Sequence, residues 1–324
     1  MKFRTELTPA NPAGLRIDPT LPIALVGSCF SANIARRMCE HLWRAVNPFG
    51  ALYNPESIRK VISLSLATAA GVSRPLHEFC ADGVWHSWLL DSSFSAESAD
   101  ELSERFRTAA SEFMEALATG GTLCVTFGTA WVYDLVTDRL TVGNCHKQRD
   151  TLFARRRLSV DEIVGAWLPL IDMLADRLPG LNIVFTVSPV RHLKDGFEGN
   201  ARSKAILLLA IEQICAARSN CHYFPAYELL TDDLRDYRYY AADLTHPADQ
   251  AVEYIWEKFR DTYIDAEGVR FLRDGAALCA GLRHRPVMRT GPLGHQLEAV
   301  RKARLNEQLA EFLTRWPFAL DPRK

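Results

Sequence analysis

Apolar residues along this chain fall into two patterns, short unbroken runs and longer stretches in which they recur every three or four positions. Leu21-Pro-Ile-Ala-Leu-Val26 is too short for a buried helix and apolar on both faces, which predicts an interior parallel strand. It closes in Gly27-Ser28. Phe30, Ile34, Met38 and Leu42 then repeat at four-residue spacing, with Arg36, Arg37 and Glu40 left to face water, which predicts a helix from Phe30 to Trp43. The chain therefore opens as strand, tight turn, helix.

The same alternation continues. A helix is expected from Pro55 to about Ala70, with Asn54 as its N-cap. Residues 71–97 read as loop and short strands, because Val84-Trp-His-Ser-Trp-Leu-Leu90 alternates and Asp82-Gly83 signals a turn. A helix over about 98–118 leads to a second core strand, Thr122 to Phe127, ending in Gly128-Thr129. A hairpin is predicted next, Trp131 to Val136 against Leu140 to Val142 around Thr137-Asp138. A helix over 159–177, a third core strand from Leu181 to Val187 ending in Ser188-Pro189, a helix over 200–217 and a short strand from Cys221 to Phe224 follow. The last helix of the body, about 248–263, begins after Pro247. Strands regularly separated by helices predict an α/β fold, a mainly parallel sheet covered by helices on both faces. Two regions are expected, a body over 1–264 and a helical C-terminal extension over 265–324 packing on it.

Composition narrows the function classes. The 324 residues are 48% hydrophobic and 24% charged, with 38 basic against 39 acidic side chains. A net charge of −1 offers no field for a polyanion, so neither nucleic acid nor a membrane surface is an expected partner. The near-neutral total conceals a split: residues 265–324 hold 11 basic and 7 acidic side chains, leaving 27 against 32 in the body. No apolar run approaches the ~18 residues needed to span a bilayer, and the first residues lack the apolar core of a secretory signal. Eight scattered cysteines without a CxxC pair read as reduced core thiols, which with the absent signal predicts a cytoplasmic protein. Cys145-His146 and Cys221-His222 are not expected to hold metal, since neighbours on an extended strand point to opposite faces.

Ligands of such sheets bind outside the carboxyl ends of the strands. Those ends carry Gly27-Ser28-Cys29, Gly128-Thr129 and Ser188-Pro189, and the loop before the last body helix carries Asp243-Leu-Thr-His246. A hydroxyl, an imidazole and a carboxylate are the three parts of an activated serine nucleophile. Ser28 precedes a helix, whose N-terminus and own N–H suit an oxyanion. Asp243, three residues before His246, can fix its tautomer. Read bare, Gly27-Ser28 is also a turn and cap, and Cys29 competes as nucleophile at the same helix start. Arg191, His192 and Lys194 follow the third core strand, where they could hold an anionic substrate group or simply cap and solvate. Asp232 to Tyr240 mixes charges and aromatics, either as a sugar-binding lip or as a loop tied by local ion pairs.

Gly27-Ser28-Cys29-Phe30-Ser31 resembles the Gly-Ser-Cys-Phe-Ala signature of the GSCFA family, a branch of the SGNH/GDSL hydrolase superfamily, with Ser31 in place of alanine. The resemblance extends through Asn47-Pro-Phe-Gly50 with Tyr53-Asn54-Pro55, Asn144-Cys-His-Lys147, Val187-Ser-Pro-Val-Arg-His192 and Tyr240-Ala-Ala-Asp-Leu-Thr-His-Pro247, covering roughly residues 20–264. It implies a flavodoxin-like three-layer α/β/α sandwich, with Ser28 as nucleophile, His246 as base, Asp243 as orienting acid, and no cofactor. In the superfamily a glycine after the second strand and an asparagine after the third complete the oxyanion hole with the nucleophile's own N–H. Gly50 resembles that glycine. Gly128-Thr-Ala-Trp131 lacks the G-x-N-D pattern, so Thr129, by backbone or hydroxyl, or Asn144 is the expected substitute. Asn54, Asn144, His146, Arg191 and His192 are the candidates for substrate contact. The implied activity is a serine esterase or acyltransferase working through an acyl-enzyme on O-acyl esters, such as O-acetyl groups on carbohydrate, of a small molecule or glycan. The alternative is a binding or scaffold protein that keeps the sandwich without efficient catalysis. A homo-oligomer is left open.

Overall fold

The computed structural model describes residues 5–284 and 292–323. In chain order the first elements are β1 (Ile23–Gly27), α1 (Cys29–Glu40), β2 (Ala45–Val46), α2 (Pro55–Ala69), β3 (Glu78–Ala81), β4 (Val84–Ser87) and α3 (Ala99–Gly120). Next come β5 (Thr122–Phe127), β6 (Trp131–Leu135), β7 (Phe153–Arg157), α4 (Val160–Arg177), β8 (Asn182–Val187), α5 (Gly196–Ala217) and β9 (Cys221–Tyr223). The chain ends with the short α6 (Ala226–Glu228), then α7 (Asp249–Tyr263), α8 (Ala266–Arg283) and α9 (Pro292–Arg315). The helix starts follow capping chemistry. Asn54 Oδ1 accepts from Ser57 N–H at 2.8 Å ahead of Pro55, and Ser159 and Glu162 form a reciprocal capping box on α4.

Five parallel strands form the central sheet in the order β2-β1-β5-β8-β9. Counting parallel strands alone, this is second, first, third, fourth, fifth, the flavodoxin-like order, which reverses direction between β1 and β5. Alternation along β1 sends its side chains to two separate cores. Ala24 and Val26 join the cluster beneath α2, α3, α4 and α5, whereas Ile23 and Leu25 join the one beneath α1, α7, α8 and α9. Helices on both faces explain why these strands are continuous apolar runs: neither face meets water. Phe271, Leu272, Cys279, Leu309 and Phe312 are buried in that second core, and Leu320 N–H donates to Leu42 O at 2.8 Å. The last two helices thus share a core with α1. Residues 285–291 of the expected extension lie outside the described residues.

The predicted hairpin is present but short, with Leu135 N–H donating to Leu140 O at 2.9 Å and Val142 N–H to Tyr133 O at 2.8 Å, and β6 has a second partner that the sequence pattern does not predict. β6 pairs antiparallel with β7, in the register Trp131↔Arg157 to Leu135↔Phe153, while the segment around Thr141 contributes one bridge, to Asp134. Phe-Ala-Arg-Arg-Arg has no apolar alternation to betray a strand. Its stability comes from charge: Arg156 Nε donates to Asp134 Oδ2 at 2.6 Å, and the Arg155 guanidinium lies 4.2 Å from the centre of the Trp131 ring. All eight cysteines are free. Among the described residues no helix is long and apolar enough to cross a membrane.

Candidate active site at the carboxyl edge of the sheet

The site starts where β1 and β5 run side by side and the strand order reverses. Gly27 has φ 143°, and a Cβ there would lie 2.3 Å from Thr126 O, so only glycine lets the two strands approach this closely. Ser28 comes next, 1% exposed, as the N-cap of α1. Its hydroxyl accepts from Phe30 N–H at 3.3 Å, a long and weak bond, and its own N–H donates to Thr126 O at 3.2 Å. The neighbouring turn is locked from the other side: Gly128 and Thr129 N–H both donate to Tyr53 O, at 2.8 and 2.9 Å. A side chain at Gly128 would start 2.9 Å from Tyr53 O and 3.3 Å from both Ser28 Cβ and His192 Nε2.

Outside this edge lies a cavity of about 410 Å³, a size that suits a small ligand. Cys29, Asn54, Thr129, Asn144, Arg191, His192 and His246 all line it, together with Trp131, Tyr133 and Arg155 of the β6–β7 hairpin. His246 arrives on a tight loop closed by Ala241 N–H to His246 O at 2.8 Å, in which Leu244 takes the left-handed conformation at φ 57°. That turn aims Asp243 back at the histidine. Asp243 Oδ2 lies 2.6 Å from His246 Nδ1, and Oδ1 accepts from the N–H groups of Thr245 and His246, each at 2.9 Å. Those two backbone donors, then the imidazole, hold the carboxyl well below the usual carboxylate range. The pair leaves His246 Nε2 as the free end of the ring.

A second histidine faces the same cavity in different surroundings. His192 Nε2 is buried without a hydrogen-bond partner, while the His192 backbone N–H donates to Asn200 Oδ1 at 2.9 Å. Burial first, then the Lys204 and His246 charges, hold its imidazole down at about 4. Lys204, on α5, is 1% exposed and donates to Gly128 O at 2.6 Å and Ser188 O at 2.7 Å. It therefore ties together the turns that end β5 and β8. No carboxylate shares its pocket among the described ion pairs, and burial pushes its ammonium down to about 7.

The other expected site residues divide. Asn54 is occupied as the α2 cap through its oxygen, while no described acceptor takes its amide nitrogen. Asn144 is drawn inward to cap its own turn, accepting from His146 N–H at 2.8 Å. Arg191 N–H donates to Thr245 O at 3.1 Å, and its guanidinium sits 4.4 Å from the centre of the Tyr240 ring, so it borders the His246 loop. His146 does not reach the cavity: its ring packs 4.7 Å from that of His86, and Nε2 lies 2.8 Å from Ser87 O. Of the expected oxyanion donors, Ser28 N–H and Thr129 N–H are engaged in the hydrogen bonds above. The Thr129 hydroxyl lies 3.1 Å from Ser203 Oγ and accepts from Trp131 N–H at 3.2 Å. Gly50, at φ 68°, lies beneath the Asp91 side chain and outside the cavity lining.

The GSCFA family model matches residues 22–259, which is most of the chain and all of the sheet. The chain belongs to the GSCFA family. No curated protein matches it. Among solved structures, a Streptococcus pneumonia protein described as a putative platelet activating factor is 13% identical, with a TM-score of 0.38, over 76% of this chain and 85% of that one. An acetyl xylan esterase from the rumen bacterium Butyrivibrio proteoclasticus is 11% identical, with a TM-score of 0.39, over 74% of this chain and 63% of that one. Likenesses this distant carry no functional argument.

Three features of the GSCFA site have no signal in the local sequence. Lys204 looks like one more polar position on a helix, since nothing beside it marks it as buried. The cavity wall formed by Trp131, Tyr133 and Arg155 depends on the unexpected β7 strand. Arg155 forms a two-pronged ion pair with Asp195 that joins this wall to the start of α5. Among the described residues no cluster suited to a metal ion occurs.

Proposed function

We propose that the protein is a serine esterase or acyltransferase acting through an acyl-enzyme on small O-acyl esters, carbohydrate-linked acetyl groups among them. The observation that carries this reading is the Asp243–His246 pair at 2.6 Å, facing the cavity onto which the first turn of α1 opens. His246 Nε2 takes the Ser28 hydroxyl proton as Oγ leaves its 3.3 Å bond with Phe30 N–H and attacks the ester carbonyl. Asp243 holds the ring and stabilises the imidazolium. Collapse of the tetrahedral intermediate breaks the ester bond, with the proton passing from His246 to the leaving alcohol. Water or an acceptor hydroxyl, deprotonated by His246, then attacks the acyl-enzyme and releases Ser28. Arg191, half-buried at the cavity edge, suits a polar or anionic part of the substrate.

A second reading, a binding protein on the same sandwich, is favoured by the engagement of Ser28 and Thr129 N–H within the fold. A fluorophosphonate probe separates the two. Labelling of the wild type that disappears in both Ser28→Ala and His246→Ala is the expected result. A folded wild type that never labels selects the binding reading. Cys29 lines the cavity and Ser28 does not, so labelling lost only in Cys29→Ala assigns the attack to sulfur. Burial raises that thiol, which favours the hydroxyl reading.

A further inference from the structure

An ester carbonyl attacked at Ser28 develops negative charge, and the donors placed nearest that point are already in use. Ser28 N–H is on Thr126 O and Thr129 N–H is on Tyr53 O. The Thr129 hydroxyl is held between Ser203 and Trp131. Asn54 Nδ2, Trp131 Nε1, Arg155 Nε and His192 Nε2 line the cavity without a described partner, and of these the His192 nitrogen is the one placed against Gly128 beside Ser28. His192 Nε2 is buried, has no partner, and lies 3.3 Å from the point where a Gly128 side chain would begin. Ser28 Cβ is 3.3 Å from that same point, so the two are no farther apart than twice this distance. A buried ring nitrogen without a partner is destabilising, and its retention beside a candidate nucleophile calls for an occupant that hydrogen-bonds to it.

We propose that neutral His192 donates Nε2–H to the oxyanion formed at the carbonyl attacked by Ser28, completing the oxyanion hole as a catalytic residue separate from the Asp243–His246 pair. The proposal rests on the esterase reading above. The ring is held ready for this role, because its backbone is fixed to Asn200 and Tyr53 meets it edge-on at 5.6 Å between centroids. The surroundings also keep it uncharged. Lys204 of α5 and His246 of the facing loop both oppose a proton on it, and burial opposes one most. A neutral imidazole gives a hydrogen bond to an oxyanion without giving up its proton, whereas His246 must accept and return one.

The test measures p-nitrophenyl acetate hydrolysis and, independently of turnover, the affinity for phenylboronic acid, which forms a tetrahedral adduct on an active serine. His192→Ala is expected to lower kcat by about 10²–10³, with KM little changed and boronate affinity falling in parallel. His192→Asn, which keeps an N–H donor, is expected to recover at least about tenfold of that loss. A folded His192→Ala with kcat within about threefold of wild type overturns the proposal. So does a fall in kcat with boronate affinity unchanged, or an equal effect confined to Asn54→Ala. Should His192 variants not fold, nitrogen NMR of the wild type decides: a new hydrogen-bonded Nε2–H signal on boronate binding supports the role, and its absence refutes it. A wild type that neither hydrolyses the ester nor binds the boronate removes the esterase reading itself, and His192 falls with it.

Discussion

Two histidines face one cavity and are prepared for opposite roles. His246 sits on a loop about half exposed, with Nδ1 held by a carboxylate at 2.6 Å and Nε2 left free. His192 is half-buried with its Nε2 fully enclosed, has no carboxylate against it, and lies near the Lys204 cation, an environment that refuses a proton. In the mechanism proposed above, the same side chain serves as a base in one place and as a fixed donor in the other. Neighbours rather than residue type make the difference between a ring tied to a carboxylate and a ring held uncharged.

Breaking the comparison at its charged end gives the largest effect. Asp243→Asn keeps the size of the side chain but removes the carboxylate that, in the proposed mechanism, orients His246 and stabilises its imidazolium. Esterase kcat is expected to fall by about 10²–10⁴, with melting temperature little changed because the pair is solvent-exposed. Steady-state kinetics with a neutral ester beside a thermal melt checks this. A kcat within a few fold of wild type removes Asp243 from the mechanism.

The two histidines also differ in how far the sequence announced them. Asp243 and His246 share a turn, so their meeting is written in a three-residue spacing. Ser28 was legible because a strand, a glycine and a helix start surround it. His192 stands in a recognisable motif, but its partial burial and its approach to Ser28 depend on Gly128, sixty-four residues away and joined through the pairing of β5 with β8 and the Lys204 bonds across their ends. Lys204 was hidden for the same reason, since a lysine on a helix reads as solvated until the sheet it covers is known. The parallel strands were legible from unbroken apolar runs. β7 was not, because arginines hold it in place through Asp134, Asp195 and the Trp131 ring, and those contacts carry no periodicity.

Lys204 offers a way to sharpen the comparison rather than break it. Lys204→Met keeps much of the buried stem and removes the charge, together with the bonds to Gly128 O and Ser188 O. Proton NMR titration of the ring hydrogens should then show His192 protonating at higher pH than in the wild type, since one of the charges opposing it is gone. An unmoved His192 would mean that Lys204 does not oppose its proton.

The smallest expected effect is on stability, and its sign follows from proton binding. His192 takes up a proton near 6.5 in the unfolded chain but only at about 4 when folded. Between those values the unfolded state holds more protons, so this residue lowers stability as pH falls from about 6.5 toward 4, and contributes no further change below. The shift corresponds to roughly 3.5 kcal/mol at most, at about 1.4 kcal/mol per pH unit, and partial exposure of the ring reduces it. His192→Gln cannot titrate, so urea unfolding at about pH 6.5 and about pH 4.5 should show a smaller acid-side loss than in the wild type. An acid-side loss as large in His192→Gln as in the wild type would mean that this ring does not set the acid-side stability.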